Sequence, residues 1–252
     1  MRIAVWQGYS PAADPDLALE GATRALRAAA AAGAGILVLP ELWLPGYNAE
    51  AVADLALTPD SAPMRQLAEA ARNTGCALVL GYAERAGERI FNSAAAFGPD
   101  GALLANYRKI QLFGPRESRL FSAGDSYLTF PLGAERIALL ICYDVEFAPH
   151  VAALAARGAT LLLVPTANMQ PFHHVPAHTI PAMAANHGLA IAYANYCGSE
   201  GDLTYTGGSV IAGPHGEILA QAGEHPALLV VDLPPRDPAR LSTQGTDLRQ
   251  IP

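Results

Sequence analysis

The stretch Arg136–Phe147, with the sequence RIALLICYDVEF, joins a short apolar run to a polar segment that starts just after Cys142. A run this short and rich in Ile and Leu predicts a strand buried on both faces, which we place at Arg136–Cys142. The residues from Ala148 to Arg157 predict a helix with a proline in its first turn. The stretch therefore predicts an α/β fold with a cysteine at the carboxyl end of a central strand.

Cys142 occupies the kind of position where α/β proteins build their sites, since ligands bind beyond the carboxyl ends of the strands. Backbone N–H groups are free at the start of a helix and are able to bind a developing oxyanion. The alternative is a structural thiol, because free cysteine is among the most buried residue types. The position alone leaves both interpretations open.

The composition favours one large α/β domain over residues 1–252, since a chain of 252 residues is long enough to bury a sizeable core. The chain is 51% hydrophobic and 15% charged, and its net charge is −7. A negative charge disfavours nucleic acid and anionic membranes as partners. The low charge content is typical of a surface that is partly covered by a partner subunit.

The cysteines and the N-terminus indicate a cytoplasmic protein. Cys76, Cys142 and Cys197 are too few and too scattered to form a disulfide framework. Residues Met1–Gln7 lack the long apolar core of a signal peptide, and no apolar stretch is long enough to span a bilayer.

Two segments of the chain resemble each other. Phe97–Ala105 has the sequence FGPDGALLA, and Ala212–Ala220 has the sequence AGPHGEILA. Each follows a strand–helix–strand passage and predicts a hairpin. Coincidence is the alternative, because such turns are common. The repeated flanking elements favour two similar halves, with two sheets packed together and helices outside.

Two further residues follow predicted strands and are chemically suited to assist a thiol. Glu41 comes directly after the apolar run Ile36–Leu39, where a carboxylate is costly unless it is paired or used. Lys109 ends the second arm of the first hairpin. A cysteine nucleophile needs a base and an electrophilic group, which these side chains would supply. Taken singly, each is more often a solvated charge at the end of an element.

Three blocks of the sequence resemble the signature blocks of the nitrilase superfamily, the carbon–nitrogen hydrolases. In order along the chain they are LPELWLPGY at Leu39–Tyr47, YRKIQLF at Tyr107–Phe113 and ICYDVEF at Ile141–Phe147. The N-terminal strand, Tyr193–Asn195 and the segment from Gly207 to Gly216 are also similar to the family, so the resemblance covers nearly the whole chain.

The resemblance implies an α-β-β-α sandwich and a catalytic triad of Glu41, Lys109 and Cys142. It also implies that Glu117, several residues after the lysine, positions the substrate and Glu41. The oxyanion would be held by Lys109 and by the backbone N–H of Tyr143.

Tyr47 and Glu146 are the further residues that we expect to bind the substrate. The expected chemistry needs no metal or other cofactor. The crowded histidines are His173, His174 and His178, and no carboxylate or cysteine lies close to them in sequence. We therefore interpret them as structural or surface residues.

The sequence is most similar to the amidase branch of the superfamily, which acts on small aliphatic amides. Amidases of α-keto acid amides often have arginine where Glu146 stands, and Glu146 would repel a substrate carboxylate and attract an amine. The alternative for Glu146 is an acidic residue placed at a helix N-terminus by the helix dipole. A nitrilase, an N-carbamoyl amidase and a non-catalytic assembly scaffold remain alternative functions.

The predicted helix after Cys142 carries small and apolar residues, from Val151 to Ala156. This pattern, together with the family resemblance, predicts a homodimer or higher homo-oligomer that buries the helix against its twin. The alternative is that the helix packs only on its own sheet.

Overall fold

The computed structural model describes residues 1–249. The first half of the chain contains β1 (Arg2–Gln7), α1 (Pro15–Ala31), β2 (Ile36–Val38), α2 (Ala62–Thr74), β3 (Ala77–Ala86), β4 (Arg89–Phe97), β5 (Leu103–Arg108) and α3 (Gly114–Leu120). Asp14 caps α1 as its sequence predicts, because its carboxylate accepts the backbone N–H groups of Asp16 and Leu17.

The second half starts with an antiparallel pair, and its central strands are again joined by helices. Its elements are β6 (Thr129–Leu132), β7 (Glu135–Leu139), a 3₁₀ helix (Cys142–Glu146), α4 (Ala148–Ala156), β8 (Leu161–Pro165), a π-helical turn (Val175–Thr179), α5 (Ile180–His187), β9 (Ala190–Ala194), β10 (Ser199–Glu200), β11 (Leu203–Thr204), β12 (Val210–Ala212), β13 (Ile218–Gln221), β14 (Ala227–Asp232), a 3₁₀ turn (Pro238–Arg240) and α6 (Gln244–Asp247).

Two six-stranded sheets form the centre of the sandwich. Their strand orders are β14-β1-β2-β3-β4-β5 and β13-β12-β9-β8-β7-β6. β1, β2 and β3 run parallel, as do β7, β8 and β9, and the outer strands are antiparallel. The residues of β1 to β5 that face the second sheet join its apolar residues in one core, and the opposite faces pack with α1 and α2 in another. The predicted α-β-β-α sandwich is confirmed.

The internal repeat is visible in the two hairpins. In the first, the Gly98 N–H donates to the Ala102 carbonyl at 2.8 Å, and in the second, the Gly213 N–H donates to the Glu217 carbonyl at 2.8 Å. The pairing shifts register at Ala96/Phe97 in one hairpin and at the corresponding place in the other. The similar sequences therefore form matching turns, which supports the prediction of two similar halves.

The predicted strand Arg136–Cys142 is too long. β7 ends at Leu139, and Cys142 begins the 3₁₀ helix instead of ending a strand. The cause is Asp144, whose carboxylate accepts the Ile141 N–H at 3.0 Å and so turns the chain before Cys142.

The described part of the C-terminal tail packs beside α5, where the Gln244 side-chain amide donates to Asn186 Oδ1 at 3.1 Å. Residues 250–252 lie outside the described residues. Among residues 1–249, no helix is long and apolar enough to cross a membrane. A cytoplasmic location stays a prediction.

Candidate active site

Three chain segments bring the predicted catalytic residues to one end of the sandwich. Glu41 follows β2 and Lys109 follows β5 in the first sheet, whereas Cys142 follows β7 in the second. Glu41 and Lys109 are in direct contact, and their charges act on the thiol of Cys142. Glu117, at the first turn of α3, completes the group. The structure thus brings together all four residues predicted to be catalytic.

Lys109 lies between two carboxylates in what we call the pocket cluster: Glu41, Lys109 and Glu117. Its ammonium donates to Glu41 Oε1 at 2.7 Å and to Glu117 Oε1 at 2.8 Å. All three side chains have no exposed surface. Because the pocket cluster holds two carboxylates and one ammonium, it carries a net charge of −1 when all three groups are ionised.

Two further side chains hold the carboxylates of the pocket cluster. The Asn92 amide donates to Glu41 Oε1 at 2.7 Å, and the Tyr47 hydroxyl donates to Glu117 Oε1 at 2.7 Å. Glu117 Oε2 accepts the Phe113 N–H at 2.9 Å. Tyr47, which we predicted as a substrate-binding residue, therefore also fixes Glu117. Asn92 was not predicted as a site residue, because nothing near an asparagine in a strand indicates which distant side chain it will contact.

Glu41 is the carboxylate of the pocket cluster in which one oxygen accepts no hydrogen bond from the described residues. Its Oε2 is buried and has no hydrogen-bond partner among residues 1–249. Burial raises the pKa of Glu41 to about 7, while the Lys109 ammonium opposes the shift and the Glu117 charge adds to it. Such a pKa suits a group that takes up and returns a proton near neutral pH.

The charge of Lys109 is maintained by its neighbours. Burial alone lowers the pKa of a lysine, but the carboxylates of Glu41 and Glu117 outweigh it and raise the pKa of Lys109 well above its ordinary value. A lysine that keeps its charge in a buried site is a fixed donor for a developing oxyanion.

Cys142 sits at a strained turn. Its φ is +45°, a left-handed conformation that non-glycine residues seldom adopt and that clusters at functional sites. Asp144 holds this turn, since its carboxylate accepts the Tyr107 hydroxyl at 2.8 Å and the Gln111 N–H at 2.6 Å, besides the Ile141 N–H. The buried Asp144 thereby ties the cysteine turn to the segment that follows Lys109. Asp144 was not predicted as a site residue, although its position two residues after Cys142 in the block ICYDVEF was a signal that could have identified it.

The surroundings of the Cys142 thiol disfavour its ionisation. Burial and the charge of Glu41 raise its pKa well above the ordinary value, despite the opposing charge of Lys109. A thiol is a poor nucleophile until it loses its proton, so this site requires a nearby base. Cys76 and Cys197 have no exposed surface, and burial raises the pKa of each to about 11.

Cys142 opens onto a pocket of about 240 Å³. The lining is mainly aromatic and apolar and contains all three predicted substrate-binding residues; its members are Tyr47, Phe113, Cys142, Tyr143, Glu146, Ala167, Asn168, Met169, Phe172 and His174. His174 was interpreted from the sequence as structural or surface, and the structure places it at this pocket. A larger cavity of about 370 Å³ beside Trp6 and Trp43 is lined by none of the residues predicted to bind substrate or to act in catalysis.

Tyr143 contributes both its backbone and its ring. Its N–H lies in the first turn of the 3₁₀ helix, where no intrahelical acceptor exists, and makes no hydrogen bond within the described chain. The ring packs edge-on against Phe113 at a centroid distance of 5.2 Å and against Phe147 at 4.8 Å. The packed ring fixes the backbone amide beside Cys142.

Two glycines allow the segments carrying Glu41 and Lys109 to approach their neighbours. A Cβ on Gly81 would lie 2.6 Å from the Glu41 Cα, and a Cβ on Gly124 would lie 2.2 Å from the Arg108 carbonyl oxygen. Both distances are shorter than any ordinary contact. Neither glycine stands out in the sequence, because the crowding comes from segments distant along the chain.

Asn195, in a segment that resembles the family, supports the pocket from behind. Its side chain accepts the Asn168 N–H at 2.8 Å and donates to the Asn168 carbonyl at 3.0 Å. Asn168 lines the pocket, so Asn195 holds one of its walls. No group of three His, Cys, Asp or Glu side chains suited to a metal ion occurs within residues 1–249.

The sequence and the structure both match known proteins. The family model described as carbon-nitrogen hydrolase matches residues 2–240. A hydrolase from Pseudomonas protegens is 43% identical over 204 residues, which cover 79% of this chain and 72% of the relative. An (R)-stereoselective amidase from Pseudomonas sp. is 36% identical over 200 residues, covering 79% of this chain and 72% of the relative.

Solved structures of an amidase from Nesterenkonia sp. AN1, a member of the nitrilase superfamily, have the same fold. A mutant of that amidase in complex with butyramide superposes with a TM-score of 0.86 at 39% identity, covering 93% of this chain and 91% of the other. Another carries the acetamide moiety of fluoroacetamide on its active-site cysteine, with a TM-score of 0.88, 40% identity, and coverage of 93% and 90%. This chain therefore belongs to the carbon–nitrogen hydrolase family, that is, to the nitrilase superfamily, and is a hydrolase of carbon–nitrogen bonds.

Proposed function

We propose that this hydrolase is an amidase that converts small neutral carboxamides to a carboxylic acid and ammonia through a thioester on Cys142. The observation that carries the proposal is the position of Cys142, which opens into a small pocket beside the pocket cluster. In that cluster a carboxylate with an unpartnered oxygen accompanies a fixed ammonium, so base and oxyanion donor lie together.

Acylation uses the raised pKa of Glu41. Glu41 takes the proton from the Cys142 thiol, and the sulfur attacks the carbonyl carbon of the amide. Lys109 and the Tyr143 N–H stabilise the oxyanion of the tetrahedral intermediate. Glu41 then returns its proton to the amide nitrogen, the C–N bond breaks, and ammonia leaves behind a thioester.

Deacylation repeats the route with water as the nucleophile. Glu41 removes a proton from water, the hydroxide adds to the thioester carbonyl, and the collapsing intermediate expels the Cys142 sulfur, which regains its proton from Glu41. Glu117 keeps Lys109 and Glu41 in place through its contact with the ammonium. Replacing Glu117 is therefore expected to lower the rate even though the thiol and the base remain.

The size and the charge of the pocket support small amides without a carboxylate. A volume of about 240 Å³ is small for a ligand site. No Lys or Arg is among the residues that line it, whereas Glu146 is, and its charge would repel a substrate carboxylate. The butyramide complex of the Nesterenkonia amidase shows that a related pocket accepts a small neutral amide.

The choice of bond is tested with matched substrate pairs. Ammonia release is measured from propionamide against propionitrile, and from propionamide against succinamate, with Cys142→Ala as the background control. We expect propionamide to be the better substrate in both pairs. A nitrile turned over faster than its amide would make the protein a nitrilase, and preference for succinamate would place Glu146 outside substrate recognition.

A non-catalytic scaffold is the alternative from another class. Incubation with an amide followed by intact-mass measurement distinguishes the two, because a working thiol forms an acyl adduct. An adduct on the wild-type protein that disappears in Cys142→Ala supports the enzyme, and the absence of both adduct and ammonia supports the scaffold.

We also propose that residues 1–252 form one domain that assembles as a homodimer through α4. Val151 and Leu154 of this helix are buried on their own sheet, whereas Ala152 and Ala156 are exposed. The exposed small residues permit a close approach of a second helix. Light scattering that finds a fully active monomer at assay concentration would exclude this assembly.

A further inference from the structure

Glu146 is a half-buried carboxylate without a partner. It ends the 3₁₀ helix that starts at Cys142 and lines the same pocket. Its side chain makes no hydrogen bond and no salt bridge within the described residues, and burial raises its pKa. A partly buried carboxylate with no partner costs free energy unless a ligand compensates it.

No Lys or Arg is among the residues that line the pocket around Glu146. Lys109 is behind the pocket and is engaged by its two carboxylates. His174 is exposed at the pocket, and its charge and that of Lys109 lower the pKa of Glu146 against the larger effect of burial, but neither residue forms a salt bridge with Glu146 among the described residues. The net negative charge of the pocket cluster adds to that of Glu146, so the potential inside the pocket favours a positively charged group.

The aromatic lining suits the same kind of group. Phe113 packs edge-on against Phe172, with a centroid distance of 5.9 Å, and against Tyr143. Aromatic faces attract an ammonium ion and at the same time bury the carbon chain that carries it. An ammonium on a short aliphatic chain would therefore find both of its parts complemented here.

The spacing between Cys142 and Glu146 limits the length of that chain. The two residues are four positions apart in a 3₁₀ helix, which corresponds to about 8 Å along the axis at roughly 2.0 Å per residue. Both residues line the same pocket of about 240 Å³, so a substrate with its carbonyl at the sulfur and an ammonium near the carboxylate needs a short linker.

We propose that Glu146 binds an ammonium group of the substrate, so that the pocket selects amides of small amino acids whose amine is two or three carbons from the amide carbonyl. The inference rests on the proposed amidase function and names its preferred substrate class. Neutral amides of the same length remain substrates, but they lack the contact with Glu146.

The test compares β-alaninamide with butyramide, because the two differ mainly by an ammonium in place of a methyl group. The value of kcat/KM is measured for both amides with the wild-type protein, with Glu146→Gln, and with Glu88→Gln as a control in which an exposed, unpaired carboxylate is replaced. The ratio of the two values cancels any effect of a substitution that is common to both substrates.

We expect the wild-type ratio to favour β-alaninamide by about tenfold or more, the order of one charge-assisted hydrogen bond. Glu146→Gln is expected to lower the ratio at least several-fold, and Glu88→Gln to leave it unchanged. A ratio of one or below, or a ratio that Glu146→Gln does not change, overturns the inference while butyramide turnover still supports the amidase.

A binding measurement keeps the inference testable apart from turnover. Calorimetric titration of the Cys142→Ala protein with each amide is expected to show tighter binding of β-alaninamide, and this preference is expected to disappear when Glu146→Gln is added. Equal affinity for both amides overturns the inference. If neither amide releases ammonia from the wild-type protein, the proposed function fails instead.

Discussion

Two carboxylate–cation groups lie on opposite faces of the first sheet, and they differ in their balance of charge. The pocket cluster has two carboxylates for one cation. The outer cluster, which we define as Glu84, Arg108, Ser93 and Asn106, has one carboxylate for one cation. The two are built from neighbouring residues, since Asn92 and Lys109 serve one whereas Ser93 and Arg108 serve the other.

The pKa values of the two glutamates diverge accordingly. Burial alone would raise the pKa of Glu84, but hydrogen bonds from Arg108, Ser93 and Asn106 outweigh it and lower this pKa. Both oxygens of Glu84 accept hydrogen bonds, whereas Glu41 has one oxygen without a partner in the described part of the chain and has its pKa raised to about 7. A balanced cluster stabilises the fold, and an unbalanced one leaves a carboxylate able to move protons.

The largest effect is expected from Cys142→Ala, which removes the nucleophile beside the pocket cluster. Ammonia release from propionamide should fall by roughly 10⁴-fold or more, while circular dichroism stays unchanged because the substitution removes few contacts. Iodoacetamide should label Cys142 before Cys76 and Cys197, which have no exposed surface. Turnover that survives in Cys142→Ala would refute the thioester mechanism.

Replacing each glutamate by glutamine tests the comparison directly. Glu41→Gln keeps the shape and removes the base, so kcat should fall by about 10²–10⁴-fold. Glu84→Gln should leave kcat unchanged and lower the free energy of unfolding by about 1–3 kcal/mol. The stability that Glu84 provides is present above its ordinary pKa of 4.5 and is lost as the pH falls through its lowered value. Near-normal kcat in Glu41→Gln would mean that the base is misassigned.

The adjacent cations Lys109 and Arg108 provide the next test. Lys109→Ala should lower kcat by about a hundredfold or more, because an oxyanion donor is lost, and should also destabilise the fold by leaving two carboxylates together. In Lys109→Ala/Glu117→Gln the stability should partly recover but the rate should not. Arg108→Met should affect unfolding in urea and leave kcat intact; a larger loss of rate in Arg108→Met than in Lys109→Ala would reverse the assignment.

The smallest effects are expected from replacing Asn92 and Ser93, whose amide and hydroxyl side chains are neighbours in β4. Since Glu41 must be ionised to accept the thiol proton, kcat/KM should fall as the pH drops below about 7. Asn92→Ala removes a hydrogen bond that lowers the pKa of Glu41, so this acid limb should move to higher pH. Ser93→Ala, its neighbour, should leave the limb where it is. Identical pH profiles for Asn92→Ala and the wild type would show that Asn92 does not tune the base.

Much of the fold was predictable from local patterns. The apolar runs at Ile36–Leu39 and Arg136–Cys142, the Asp14 cap and the two Gly-Pro hairpins each predicted an element that the structure contains. These signals succeed because burial, capping and turn chemistry act between residues that are close in sequence. The predicted end of the strand at Cys142 was wrong, because the Asp144 side chain competes with strand pairing there by accepting the Ile141 N–H.

The sequence by itself determined which residue types are present at the ends of β2, β5 and β7. The three family-like blocks also predicted the roles of these residues. Only the tertiary structure decided that Lys109 joins Glu41 and Glu117 while its neighbour Arg108 joins Glu84 on the other face of the sheet, and that Asn92, Asp144, Gly81 and Gly124 support the site. It also decided that Glu146 lines the pocket and has no hydrogen-bond or salt-bridge partner among residues 1–249. The physical reason is that hydrogen bonds, burial and close approach join residues tens of positions apart, and their balance of charge exists only after both sheets have packed.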